Sequence, residues 1–122
     1  MKYKYANVSD LIGKTLISIE GAKQYNDSIV FTCADGSKYE MSHGQECCET
    51  VNIKQIDGDI EDLIGQPIVM AECITELAKG KIQYYGTFTF YKFATSKGYV
   101  TIQWLGESNG WYSEEVDFCL SI

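Results

Sequence analysis

Short stretches of alternating apolar and polar residues dominate the chain and predict β-strands. The clearest is Val100–Trp104, in which every second residue is apolar, as on a strand with one buried face. Two hairpins are also predicted, one over Ser28–Ser42 around the turn Asp35-Gly36 and one over Phe88–Trp104 around Ser96–Gly98. We therefore expect a mainly β protein, a β-rich α+β fold with little helix.

The order of these elements occurs twice along the chain. The tetrapeptide Asp-Leu-Ile-Gly at Asp10–Gly13 recurs as Asp62–Gly65, at an offset of 52 residues. The segment Cys47–Ile53 resembles Tyr112–Phe118 at an offset of 65 residues. Because the matched blocks keep their order while the offset grows, we infer a diverged internal repeat with insertions in its loops.

The internal pseudo-repeat covers residues 8–56 and 60–120 and predicts two units of one design. Each unit has a short helical turn ended by glycine, a strand, a hairpin, a polar loop and a final strand that closes the unit. Two such tandem, diverged antiparallel sheet units are expected to form one compact sandwich or half-barrel. The helical candidates are Ile60–Ile64 and Thr75–Lys79, and residues 80–86 are a predicted insertion.

Composition adds information on size, charge and cysteines. A chain of 122 residues fits a single domain, 1–122. It carries 17 acidic residues and 10 basic residues, for a net charge of −7, and all ten basic residues are lysine. An acidic surface without arginine disfavours direct binding to nucleic acid. No transmembrane stretch or signal peptide is visible, so we expect a cytoplasmic protein without membrane contact. In that reducing compartment we expect its five cysteines to be free thiols.

Two polar loops are the candidates for chemistry: Ser42–Glu49, the first loop, and Glu107–Glu114, the second loop. They occupy equivalent positions in the pseudo-repeat. The first loop holds the only histidine, His43, near Cys47 and Cys48. These three residues are a candidate zinc ligand set, or the base and thiol nucleophile of a small hydrolase. A binding loop or a structural corner is the third interpretation.

The binding interpretation rests on the aromatic, amide and carboxylate side chains of both loops, which suit stacking and hydrogen bonding to a flat ligand. The candidate ligand-binding residues are His43, Gln45, Glu49, Trp104, Asn109, Trp111, Tyr112 and Glu114. In the structural alternative, Glu49 and Glu114 cap the backbone N–H groups of a neighbouring loop. The sequence leaves open whether the two loops meet in one cleft.

Four motifs carry a family resemblance. They are His43–Glu49 (HGQECCE), Asp62–Pro67 (DLIGQP) with Glu72 after it, Thr89–Lys92 (TFYK) and Trp104–Glu114 (WLGESNGWYSE). Together they resemble an uncharacterised family of short proteins found largely in bacteriophage and prophage genomes. The similarity runs over most of the chain, from the first Asp-Leu-Ile-Gly block to the end. That family has no established activity, so the resemblance implies neither catalytic residues nor a cofactor.

The resemblance implies a context. Short phage proteins without enzymatic motifs often counter host defence, so the expected function is a non-enzymatic protein of the host-cell cytoplasm that sequesters a small nucleotide-like immune signal. The alternative is an acidic inhibitor that binds a host defence protein, and the second alternative is a small hydrolase built on the first loop. A homo-oligomer is a further expectation, since sequestering proteins use repeated sites.

Overall fold

The computed structural model describes residues 2–78 and 85–122, which form nine β-strands in two antiparallel sheets. The strands are β1 (Tyr3–Tyr5), β2 (Leu16–Glu20), β3 (Ser28–Cys33), β4 (Lys38–Ser42), β5 (Thr50–Asp57), β6 (Met70–Leu77), β7 (Tyr85–Thr95), β8 (Gly98–Ser108) and β9 (Asp117–Ser121). One sheet has the order β1-β9-β4-β3-β2 and the other the order β5-β8-β7-β6. The predicted mainly β fold with two antiparallel sheets is confirmed.

The final strand of each predicted unit lies in the sheet of the other unit. Strand β9 pairs with β4, so it joins the sheet of β2, β3 and β4. Strand β5 pairs with β8, so it joins the sheet of β6, β7 and β8. The expectation that each final strand closes its own unit is therefore wrong. Because of this exchange, both polar loops cross from one sheet to the other.

The two sheets face each other across one hydrophobic core. Phe31 of β3 and Phe93 of β7 meet with their ring centroids 5.9 Å apart. The indole N–H of Trp104 on β8 donates a hydrogen bond to the sulfur of Met41 on β4, at 3.2 Å. These four side chains have no exposed surface, and burial of a side chain of this size contributes about 1.5–3 kcal/mol. The alternation of apolar residues along the strands therefore builds one shared interior.

Two short 3₁₀ helices, Val8–Leu11 and Ile60–Leu63, stand where the Asp-Leu-Ile-Gly blocks predict helical turns. In each block the leucine is fully buried. The glycine that ends each block has a positive φ, 88° at Gly13 and 87° at Gly65, a conformation that glycine adopts without steric cost. Among the described residues, no helix is long and apolar enough to cross a membrane.

The predicted helix Thr75–Lys79 does not form where the structure describes it. Residues 75–77 belong to β6 instead, and Ile74 and Thr75 lie opposite Phe90 and Thr89 of β7. Cross-strand pairing of β-branched and aromatic side chains outweighs the local helix propensity of Glu-Leu-Ala. Lys79, and residues 80–84 of the predicted insertion, lie outside the described residues.

Candidate functional site

The first loop is folded around the carboxylate of Glu49. This carboxylate accepts hydrogen bonds from the backbone N–H of Glu46 at 2.9 Å and from that of Cys47 at 2.8 Å. The Nε2 atom of His43 lies 2.7 Å from it. The glutamate is buried, and buried carboxylates are held by several donors in this way. The structural alternative predicted that Glu49 caps backbone N–H groups of a neighbouring loop; it caps those of its own loop instead.

His43 links the first loop to the chain that follows the second. Its Nδ1 atom lies 2.6 Å from the backbone carbonyl oxygen of Glu115, and its Nε2 atom faces Glu49. Both partners are acceptors, so both ring nitrogens carry a hydrogen, as in the imidazolium form. Burial lowers the pKa of His43, but the hydrogen bonds to Glu49 and Glu115 outweigh burial and raise that pKa overall. The hydrogen bond with His43 lowers the pKa of Glu49 to about 2, although burial alone would raise it.

Cys47 and Cys48 are joined by a disulfide between adjacent residues. The expectation of five free thiols is therefore wrong for this pair, whereas Cys33, Cys73 and Cys119 are free. With both sulfurs bonded to each other and both nitrogens of His43 hydrogen-bonded, the candidate zinc set offers no free ligand atom. The same bonds leave the hydrolase hypothesis without a thiol nucleophile or a free base. Residues 2–78 and 85–122 contain no group of three metal-binding side chains.

The second loop is held by a carboxylate at the equivalent position, Glu114. Its Oε1 atom accepts a hydrogen bond from the hydroxyl of Thr87 at 2.7 Å, and its Oε2 atom accepts one from the hydroxyl of Ser108. The Ser108 oxygen in turn accepts the backbone N–H of Gly110 at 3.0 Å. Each loop is therefore fixed by one glutamate. Glu49 is held by two backbone N–H groups and His43 of its own loop, and Glu114 by the hydroxyls of Thr87 on β7 and Ser108 on β8.

Gly106 lets the second loop pack directly on β8. A Cβ atom at this position would lie 2.7 Å from the backbone oxygen of Glu114 and 2.8 Å from its Cβ. We expect Gly106→Ala to push the loop off the strand and to lower the free energy of unfolding by about 1–3 kcal/mol. Chemical denaturation measures this change. The control is Gly44→Ala in the first loop, where the nearest atom would be at 3.9 Å; equal losses in both variants would contradict the prediction.

The two loops meet in one cleft. Thr50, at the start of β5, lies opposite Glu107 near the end of β8, so the strand exchange brings the two loops together. The cleft has a volume of about 320 Å³. Its lining consists of Cys48, Glu49, Thr50, Glu107, Ser108, Asn109 and Tyr112. The question that the sequence left open is thereby answered.

Three of the eight predicted ligand-binding residues line this cleft, namely Glu49, Asn109 and Tyr112. Three others hold the loops: His43 and Glu114 through the bonds described above, and Gln45 through a hydrogen bond from its amide to the carbonyl oxygen of Glu49 at 2.6 Å. The sequence analysis missed Cys48, Thr50, Glu107 and Ser108 as lining residues. The pairing of β5 with β8, which local patterns do not encode, assembles them.

The two tryptophans have different environments. Trp104 is fully buried, so its assignment as a ligand-stacking residue is corrected: it belongs to the core. The alternation that buries Val100 and Ile102 also turns Trp104 inward. Trp111 is 86% exposed on the second loop and does not line the cleft, although it follows Asn109 closely in the chain.

The cleft is acidic. Its lining includes Glu107 and Glu49 and no lysine; the side chain of Glu49 is fully buried, so Glu107 brings the accessible negative charge. Hydroxyl, amide and carboxylate oxygens suit a ligand that donates hydrogen bonds, and the ring of Tyr112 offers an apolar face. A phosphate group would find no cationic partner among these side chains.

A family model described as a domain of unknown function, DUF7448, matches residues 9–118 of the chain. No curated protein and no solved structure matches this chain.

Proposed function

This chain belongs to the DUF7448 family, a domain of unknown function, and we propose that it is a non-enzymatic binding protein for a small nucleoside-like ligand. The observation that carries the proposal is the convergence of both loops on one cleft. The lining supplies hydrogen-bonding side chains from two strands and two loops, next to one tyrosine ring. Small-molecule sites commonly combine a few placed polar groups with apolar surface.

The chemistry of the cleft favours the base and sugar of a nucleotide-like molecule over its phosphates. Amino and hydroxyl groups of a nucleoside are donors, and Glu107 and Asn109 carry matching acceptor oxygens. The base would stack on Tyr112, an interaction worth about 1–3 kcal/mol per base. The absence of lysine from the lining argues against recognition of a heavily phosphorylated ligand.

The way the loops are held favours binding over turnover. Glu49 is engaged within its own loop, and Glu114 by Thr87 of β7 and Ser108 of β8. The cleft walls are thus fixed before a ligand arrives, and preorganisation raises affinity. Sequestration requires affinity alone. We therefore propose retention of an intact ligand, and the resemblance to phage proteins suggests a nucleotide-like immune signal of the host as that ligand.

The test is calorimetric titration with the four ribonucleosides and their 5′-monophosphates. We expect at least one nucleoside to bind, the monophosphate to bind no more tightly, and Tyr112→Leu to weaken binding about tenfold or more. Tyr99→Leu is the matched control, because Tyr99 is 74% exposed near the opposite end of β8. If no nucleoside binds, or if both variants bind alike, the proposal fails.

A protein partner is the second candidate, and the exposure of Trp111 favours it. Exposed tryptophans are rare and are enriched among the residues that dominate protein interfaces. The net charge of −7 would speed association with a basic partner at low salt. Capture of one host protein by the native chain, lost with Trp111→Ala and weakened by salt, would support this function. Capture that is unchanged by that substitution would exclude Trp111 as its anchor.

A further inference from the structure

Strand β6 has the longest open edge in the part of the chain that the structure describes. The outer edge of β5 is interrupted at Ile53, because the N–H of Tyr25 donates to the carbonyl oxygen of Ile53 and the N–H of Ile53 donates to that of Asn26. The start of β2 is bridged to residues 64 and 67, and β1 has only three residues. In contrast, β6 has eight residues and pairs only with β7 among the described strands.

The direction of the free hydrogen-bonding groups of β6 follows from its pairing with β7. Just beyond the strand, the N–H of Ala78 donates to the carbonyl oxygen of Gly86 at 2.9 Å. Hydrogen-bonded pairs alternate along an antiparallel ladder, so the even-numbered residues of β6 bond to β7. The backbone groups of Cys73 and Thr75 therefore point outward, away from the sheet, and are open to another strand. Those of Ala71 point the same way, but Ala71 is only 5% exposed, because the 3₁₀ helix Val8–Leu11 contacts β6.

We propose that a second copy of this chain pairs with this edge. Its own β6 would lie antiparallel to the first about a twofold axis at Cys73, and the two four-stranded sheets would become one sheet of eight strands. Isologous pairing of this kind is the usual way in which two copies form a closed dimer. The proposal is independent of the ligand proposed for the cleft.

Charge selects the register of this pairing. Two registers, centred on Cys73 and on Ile74, give the longest overlap of the two β6 strands. Both keep the core-facing sides of the two sheets on the same side of the joined sheet. The Ile74 register places Glu72 directly opposite Glu76 of the second copy, and like charges in that position are destabilising. The Cys73 register places Glu72 opposite Ile74 of the second copy and contains no opposed pair of glutamates. It is therefore the favoured register.

The exposed apolar side chains agree with the same register. Val69 is 63% exposed just before the strand, and Leu77 is 70% exposed at its end. The regular ladder of β6 begins at Met70, since the N–H of Val69 donates to Ala94, the partner of Met70 on β7. In the Cys73 register Leu77 of the second copy lies just beyond that point, next to the exposed Val69, so the dimer covers both side chains. In the Ile74 register, Leu77 would lie opposite Ala71 instead. Burial of apolar surface thus favours the register that charge also favours.

The first test measures assembly of the full chain by sedimentation equilibrium under reducing conditions. We expect a reversible dimer that strengthens with salt, since each copy carries a net charge of −7 and salt screens their repulsion. Thr75→Pro removes an outward N–H without touching the β7 ladder and should weaken dimerisation about tenfold or more. Thr75→Val keeps that N–H and is the matched control. A monomer at all concentrations, or a dimer that Thr75→Pro leaves unchanged, would overturn the proposal.

The second test reads the register and does not depend on the proline variant folding. Opposed residues of a hydrogen-bonded antiparallel pair have Cα atoms about 5.5 Å apart, which a disulfide spans. Treatment with diamide, which accepts two electrons and two protons from two thiols, should link two chains through Cys73. The linked dimer should form in Cys119→Ser and disappear in Cys73→Ser. A link that survives in Cys73→Ser, or no link in a protein that is dimeric, would refute this register.

Discussion

Replacing Trp104 by alanine is expected to lower the free energy of unfolding by about 3–5 kcal/mol. The indole is fully buried, lies opposite Ile53 of β5 and joins the two sheets through its hydrogen bond to Met41. Alanine would leave a cavity between the sheets and would remove that bond. A loss of this size is a large fraction of the 5–15 kcal/mol that stabilises a typical domain.

Chemical denaturation of Trp104→Ala and Trp104→Phe measures the loss, and the phenylalanine variant should fall between the alanine variant and the native chain. Trp111→Ala is the matched control. Its side chain is 86% exposed, and its substitution should change stability by no more than about 0.5 kcal/mol. Similar losses for Trp104→Ala and Trp111→Ala would contradict the assignment of Trp104 to the core.

The strands could be predicted from the sequence because the face on which a side chain lies depends on its immediate neighbours. Val100, Ile102 and Trp104 alternate with polar residues, and the structure buries all three. The same alternation contradicts a ligand-binding role for Trp104. Its residue type suggested stacking, but its position in the strand decides its environment.

The composition of the cleft could not be predicted, because it depends on which strands become neighbours. The segment that begins at Thr50 reads as a strand whichever sheet it joins. Only its pairing with β8 places Thr50 opposite Glu107 and brings the two loops together. Nor could the sequence predict the bond between Cys47 and Cys48, since in an extended chain adjacent side chains point to opposite faces.

The helix predicted at Thr75–Lys79 also fails because strand pairing cannot be read from local sequence. Glu76 and Leu77 are good helix formers, and in isolation they favour a helical turn. Their partners on β7, Phe88 and Thr87, are twelve and ten residues away in sequence, beyond the reach of a single helical turn. Tertiary pairing therefore determines the conformation of this segment.

The His43–Glu49 pair is expected to make the stability of the fold depend on pH in a defined window. The raised pKa of His43 means that its contribution is complete below its ordinary value of about 6.5 and is lost as pH rises through the raised value. The pKa of Glu49, lowered to about 2, means that its contribution is complete above about 4.5 and is lost as pH falls toward 2. The pair therefore stabilises the fold most between about pH 4.5 and 6.5.

Thermal unfolding of the native chain and of His43→Gln from pH 3 to 10 measures this window. The difference in Tm should be several degrees between about pH 4.5 and 6.5 and should shrink above that range. Glu49→Gln should lower the Tm more than Glu46→Gln, because Glu46 offers an exposed carboxylate in the same loop whereas Glu49 holds two backbone N–H groups. Since the chain has one histidine, its NMR titration reports His43 directly. A midpoint at or below about 6.5 would show that burial outweighs the two hydrogen bonds, and protonation of His43 would then not stabilise the fold.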